Sequence, residues 1–64
     1  MVKINGEEKE IAGKNLLEYL KEAGFEPERV VVERNLDIIP KDELGNTIIQ
    51  VEDVIEVLRF VGGG

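Results

Sequence analysis

Gly62, Gly63 and Gly64 are three of the seven glycines in a chain of 64 residues, and they stand together at the place where the sequence stops. Glycine is chosen for positive φ, for close approach of another backbone, or for flexibility, and only the last two apply at a chain end. The tail, residues 62–64, therefore reads as the functional site, and residues 1–61 as the domain that presents it. A phosphate-binding loop would need a helix amino terminus after the glycines. With Gly64 last in the sequence, no such loop is expected.

Side-chain chemistry is scarce elsewhere. There is no His, Cys or Ser, and Thr47 is the single threonine, so a nucleophile with an imidazole base cannot be assembled. Glu7-Glu8, Asp42-Glu43 and Glu52-Asp53 are adjacent carboxylates that diverge on an extended or turning backbone, and all three pairs are expected to be solvated charge. The stretch Lys41-Asp42-Glu43-Leu44-Gly45-Asn46 lacks the alternating oxygen ligands of a calcium loop, and no metal is expected. Autonomous hydrolase or transferase activity is thereby disfavoured.

A net charge of −6 disfavours phosphate backbones and anionic lipid surfaces, so neither a nucleic acid nor a membrane is expected as partner. The same field favours encounter with a basic protein surface. One small domain is the ceiling for this length, resting on the 42% of residues that are hydrophobic, with no disulfide to supplement them. No charged-then-apolar leader precedes a cleavage site, and no apolar run approaches the ~20 residues of a membrane span. The expectation is a soluble, unprocessed protein of the reducing cytoplasm.

The elements that must hold the tail can be read in order. Asn5-Gly6 lies between two short extended runs and predicts a tight hairpin with strands near 1–5 and 8–12. Asn15 and Glu18 match the first and fourth positions of a capping box, and Leu16, Leu20 and Ala23 fall at helical spacing, with Leu17 one turn from Leu20. Gly24 stops that helix, and Phe25 is placed to pack back on Leu20. A β-branched strand is expected near 29–34, then a turn at Asn35-Leu36-Asp37 and a short run at Ile38-Ile39 ended by Pro40. Residues 41–50 show no sustained period and predict a turn or short helical piece.

In the last strand Ile55 and Val57 face the core while Glu56 faces water. Leu58 and Phe60 share the phase of Glu56, which puts two large apolar side chains on the solvent face just before the glycines and suggests a docking surface. The alternative is a bulge that turns them inward. Strand, strand, helix, strand, short strand, strand is the order of a two-layer α+β domain, a mixed sheet of about four to five strands with one helix across it. First and last strands paired in parallel at the centre are compatible with a β-grasp, the ubiquitin-like fold.

Along its whole length the chain resembles the ThiS sulfur carriers of thiamin biosynthesis, β-grasp relatives of ubiquitin. The resemblance rests on the opening Ile4-Asn5-Gly6-Glu7 hairpin, the Leu16-Leu17-Glu18-Tyr19-Leu20 helix ending at Gly24, the Val30–Asn35 strand followed by Ile38-Ile39-Pro40, and above all the run from Val54 to Gly64. Leu36 departs from it, since such proteins often carry Gly after this Asn. The resemblance implies that the α-carboxylate of Gly64 is the working group. A ThiF-like adenylating enzyme would join it to AMP using ATP, and a sulfur donor such as a cysteine desulfurase would convert it to a thiocarboxylate. A ThiG-like thiazole synthase would then receive the sulfur. The chain itself would be a carrier rather than an enzyme, with no bound cofactor. Gly62 and Gly63 would thread a narrow passage, and Leu58, Phe60 and Val61 would rest on the partner. Other readings are the small subunit of molybdopterin synthase, a ubiquitin-like modifier joined through Gly64, and a plain binding module.

Overall fold

In a computed structural model, residues 1–59 are described. Asn5 and Gly6 take φ of 50° and 86°, so the expected tight turn forms and joins β1 (Val2–Ile4) to β2 (Glu7–Lys9) as an antiparallel hairpin. β2 stops sooner than the run 8–12 predicts, because the chain past Lys9 leaves β1 to pair with a later segment. Gly13 N–H donates to Ile49 O at 2.7 Å, Ile49 N–H to Lys14 O at 2.8 Å, and Leu16 N–H to Thr47 O at 2.8 Å. Ile11 still packs on the core from this loop.

The helix α1 (Leu16–Glu22) starts where the capping signal places it. Asn15 Oδ1 accepts from Glu18 N–H at 3.1 Å, and Asn15 Nδ2 donates to Gly45 O at 2.7 Å. The one amide offers an acceptor to the helix and, on a second atom, a donor to the neighbouring segment. At the other end Gly24, at φ 90°, donates to Lys21 O, and Phe25 N–H reaches Leu20 O at 2.9 Å, the paired bonds of a Schellman cap. Ala23 is exposed instead of lining the apolar stripe. The helix has already closed at that residue, and Tyr19, buried beside Leu16 and Leu20, completes the face.

A 3-10 helix (Pro27–Arg29) leads into β3 (Val30–Arg34), one residue shorter than the predicted run because Arg29 belongs to the turn before it. β4 (Asp37–Ile39) returns antiparallel, a second 3-10 helix (Lys41–Asn46) follows, and β5 (Val54–Arg59) closes the sheet in the order β2-β1-β5-β3-β4. β5 runs parallel to β1 and antiparallel to β3, so first and last strands meet at the centre as expected. Five strands with one helix across them make the α+β, β-grasp arrangement.

The core consists of Val2, Ile4, Leu16, Tyr19, Leu20, Val30, Val32, Leu44, Ile49, Ile55 and Val57, all within the layer between α1 and the sheet. Leu44 is fully buried although its segment has no readable period, because a 3-10 helix turns every third residue to one side. A further tie crosses from the first residue to the turn before β5. The Met1 ammonium donates to Glu52 Oε2 at 2.7 Å, and this hydrogen bond, with the positive charge behind it, holds the Glu52 carboxyl below its ordinary value. A depressed carboxyl adds stability above its ordinary pKa and loses it as the pH falls through the depressed one. The group is exposed, so the contribution is small. Acetylating Met1 should return Glu52 toward its ordinary titration in a side-chain NMR experiment.

Candidate functional site

β5 carries the tail, and the fold pins β5 from both flanks. β1 ends at Ile4, so Val57 has no backbone partner on that side; Asn5 Oδ1 takes its N–H at 2.8 Å and prolongs the parallel ladder by one bond. At the start of the strand Asn35 receives Val54 N–H on Oδ1 at 3.0 Å and donates its own N–H to Val54 O at 2.8 Å. Both turn asparagines thus do two jobs, adopting positive φ and supplying an amide that finishes the central strand. The hairpins were legible in the sequence. The second job was not, because it depends on which strand lies beside each turn.

Asp53 departs from the expectation of a solvated Glu52-Asp53 pair. Glu52 is exposed, but Asp53 is only 5% exposed. Its Oδ2 accepts from Gln50 N–H at 2.9 Å, its Oδ1 from Asn35 Nδ2 at 3.1 Å, and Arg34 Nε lies 3.5 Å from Oδ2. The carboxylate therefore fastens the turn before β5 to the β3–β4 hairpin. Alternation could have flagged it, since Asp53 shares the inward phase of Ile55 and Val57.

At the tail end of β5, Val57 is buried and Leu58 is 49% exposed on the outer face, across from half-buried Val31. The inward bulge is therefore not adopted at Leu58. Phe60, Val61, Gly62, Gly63 and Gly64 lie outside the described residues, as does the boundary between residues 61 and 62. Arg59, the last described residue, stacks its guanidinium over Phe25, 4.8 Å from the ring centre. This contact ties the end of β5 to the cap of α1, and a cation over an aromatic face adds roughly 0.5–1 kcal/mol at exposed sites. Arg29 and Arg59 flank a cleft of about 320 Å³ with Gly24, Glu26 and Val30, where Glu26 pairs with Arg29 at 3.2 Å. Two of the three arginines in an acidic chain thus gather at the root of the tail.

Among the described residues no three His, Cys, Asp or Glu side chains group as a metal site, and no helix is long and apolar enough to cross a membrane. The described residues fix the position of the end of β5. The model of the ThiS family matches residues 2–64, from the first strand through the terminal glycines. The chain belongs to the ThiS family. This ThiS-family chain is also similar to the crystal structure of a thiamine biosynthesis protein, ThiS, from Geobacter metallireducens, at 28% identity and a TM-score of 0.78. The match covers 98% of this chain and 97% of that one. Two thiazole synthases are similar in sequence. The protein from Magnetococcus marinus is 41% identical over 64 residues, covering 98% of this chain, and that from Paramagnetospirillum magneticum is 39% identical over 62 residues, covering 95%. The chain spans 20% and 19% of their lengths, so each carries a ThiS-like segment within a much larger protein.

Proposed function

We propose that this chain is a sulfur carrier whose working group is the α-carboxylate of Gly64. The observation that carries the reading is the family match running unbroken to Gly64. Its chemistry is consistent with the composition: with no Cys, no side-chain thiol can bear the sulfur. An α-carboxylate titrates near ~3.5 and at neutral pH is an anion that resists nucleophiles until an oxygen becomes a better leaving group. In the proposed sequence a carboxylate oxygen attacks the α-phosphorus of ATP on an adenylating enzyme, and pyrophosphate leaves. The outer sulfur of a persulfide then attacks the carbonyl, and AMP departs with the bonding pair. The bond formed is C–S, and a thiol must next cleave the S–S bond carried over from the persulfide, freeing the thiocarboxylate and leaving a disulfide behind.

The fold's part is presentation. β5 is held on both sides by backbone and asparagine amides, so docking of the domain fixes where the tail begins. Extended, Gly62–Gly64 reach about 10 Å past Val61 with no side chain to obstruct a narrow channel. Thiazole synthase is the proposed recipient, supported by the ThiS-like segment within the two relatives of that name.

Incubation with adenylating enzyme, ATP and a persulfide donor, followed by intact-mass measurement, tests the reading. Exchange of one oxygen for sulfur is expected; a covalent conjugate with another protein, or an unchanged mass, overturns it. A second measurement addresses docking. Leu58→Glu and Phe60→Glu should each slow adenylation about tenfold or more, since covering a large apolar side chain is worth about 1.5–3 kcal/mol. Their melting temperatures should stay at the parent value for Leu58→Glu, whose side chain already faces solvent. Unchanged turnover in both variants would remove Leu58 and Phe60 from the partner surface.

A further inference from the structure

Asn35 and Leu36 close the β3–β4 hairpin at φ of 52° and 75°. A two-residue turn with positive φ at both positions strongly favours Asn-Gly, and a leucine there places a Cβ in the left-handed region at a conformational cost. The side chain so held is 90% exposed, so little packing among the described residues offsets that cost. Ile38, at 65% exposure, and Val54 share the outer face of the sheet. Leu36 and Val54 line a concavity of about 500 Å³ with Glu33, Asn35 and Glu56.

Glu33 and Glu56 stand directly opposite each other across β3 and β5, where like charges oppose pairing. Neither forms an ion pair among the described residues, and Lys3, the cation on the same face, is in register with Val54 instead. A strained, exposed apolar residue beside two facing carboxylates that form no ion pair among the described residues is an arrangement that costs the free chain and would be relieved by a complementary surface.

We infer that this end of the outer face is a docking site for a partner protein that offers an apolar socket to Leu36 and an arginine or lysine between Glu33 and Glu56. A second copy of the chain is disfavoured, because its own carboxylate pair and a net charge of −6 would meet like charge. The site adjoins the Leu58 surface, since the Glu33–Glu56 pair stands one rung before the Val31–Leu58 pair on the same face, and Leu36 and Val54 lie at the end away from the tail. Val54 opens β5 and Leu58 lies four residues on, about 13 Å along the strand. A protein held here leaves the tail free to enter an active site, either its own or that of another protein.

The inference rests on the carrier reading only for its probes. Calorimetric titration of the full chain into a purified adenylating enzyme and, separately, a purified thiazole synthase from the same organism provides the test. Leu36→Gly should melt a few degrees higher, because glycine relieves the turn, and should bind at least one enzyme about tenfold more weakly. The double variant Glu33→Gln, Glu56→Gln should lose most of the salt dependence of that binding. Parental affinity of Leu36→Gly for both enzymes overturns the proposal. So does weaker binding together with a lower melting temperature, which would mark Leu36 as structural, or a dimer in sedimentation that this substitution dissolves. Sulfur transfer is not read in these titrations, so their failure and failure of the carrier reading are distinct results.

Discussion

Deleting Gly64 is expected to abolish thiocarboxylate formation while leaving the thermal unfolding transition where it was. The deletion moves the terminal carboxylate back by one residue, about 3.3–3.6 Å. A displacement of about 1 Å at a reacting centre can cost on the order of a hundredfold, so a full residue removes any useful rate. Among the described residues the core runs from Val2 to Val57, and removing a glycine takes no side chain from any core, which is why stability should be untouched. Blocking Gly64 as an amide is the sharper variant, since it keeps the arm's length and removes only the oxygen that attacks ATP. Intact mass after incubation with the adenylating enzyme and a persulfide donor reads both. Sulfur incorporation by either variant at the parental rate would move the chemistry away from the terminus.

Asp53→Ala should be the most damaging substitution outside the apolar core. It orphans Gln50 N–H and Asn35 Nδ2 and takes the counter-ion from Arg34. Both lost hydrogen bonds are part-buried and reach a carboxylate, a class worth roughly 1.5–3 kcal/mol each, toward the low end where the donor residue is exposed, and the partly exposed guanidinium adds less than a buried one. A total of about 3 kcal/mol is a large share of the few kcal/mol that a domain of this size possesses. For so small a domain each kcal/mol moves the midpoint by about 4–8 °C, so a fall of about 15 °C is expected by calorimetry. Asp53→Asn, which keeps an acceptor for Gln50, should recover part of it. If Asp53→Ala unfolds at the parental temperature, the carboxylate does not fasten β5.

Much of this molecule was readable before its fold. Asn5-Gly6 reported a hairpin because both positions need positive φ, and Asn15, Gly24 and Phe25 reported the two ends of a helix because caps are local hydrogen-bond problems with few solutions. Alternation through Ile55 and Val57 placed Leu58 on the outer face. The error at Ala23 came from extending helical spacing past a residue that already serves as the cap. Leu44 was missed because a 3-10 turn of six residues is too short to establish a period.

What needed the tertiary structure was every feature made by elements distant in sequence. Asp53 looked solvated beside Glu52, yet it is buried because the β3–β4 hairpin folds over it and supplies Asn35 and Arg34. Arg59 gave no signal until Phe25 came beneath it, and Glu33 and Glu56 became a pair only when β3 and β5 aligned. Composition alone determined that no imidazole–nucleophile pair or thiol could act in this chain, and local backbone chemistry determined its turns, caps and alternating faces. Strand order decided which polar groups brace β5, because a hydrogen bond or a charge contact depends on what stands across the sheet, and neighbours in space are not neighbours in sequence.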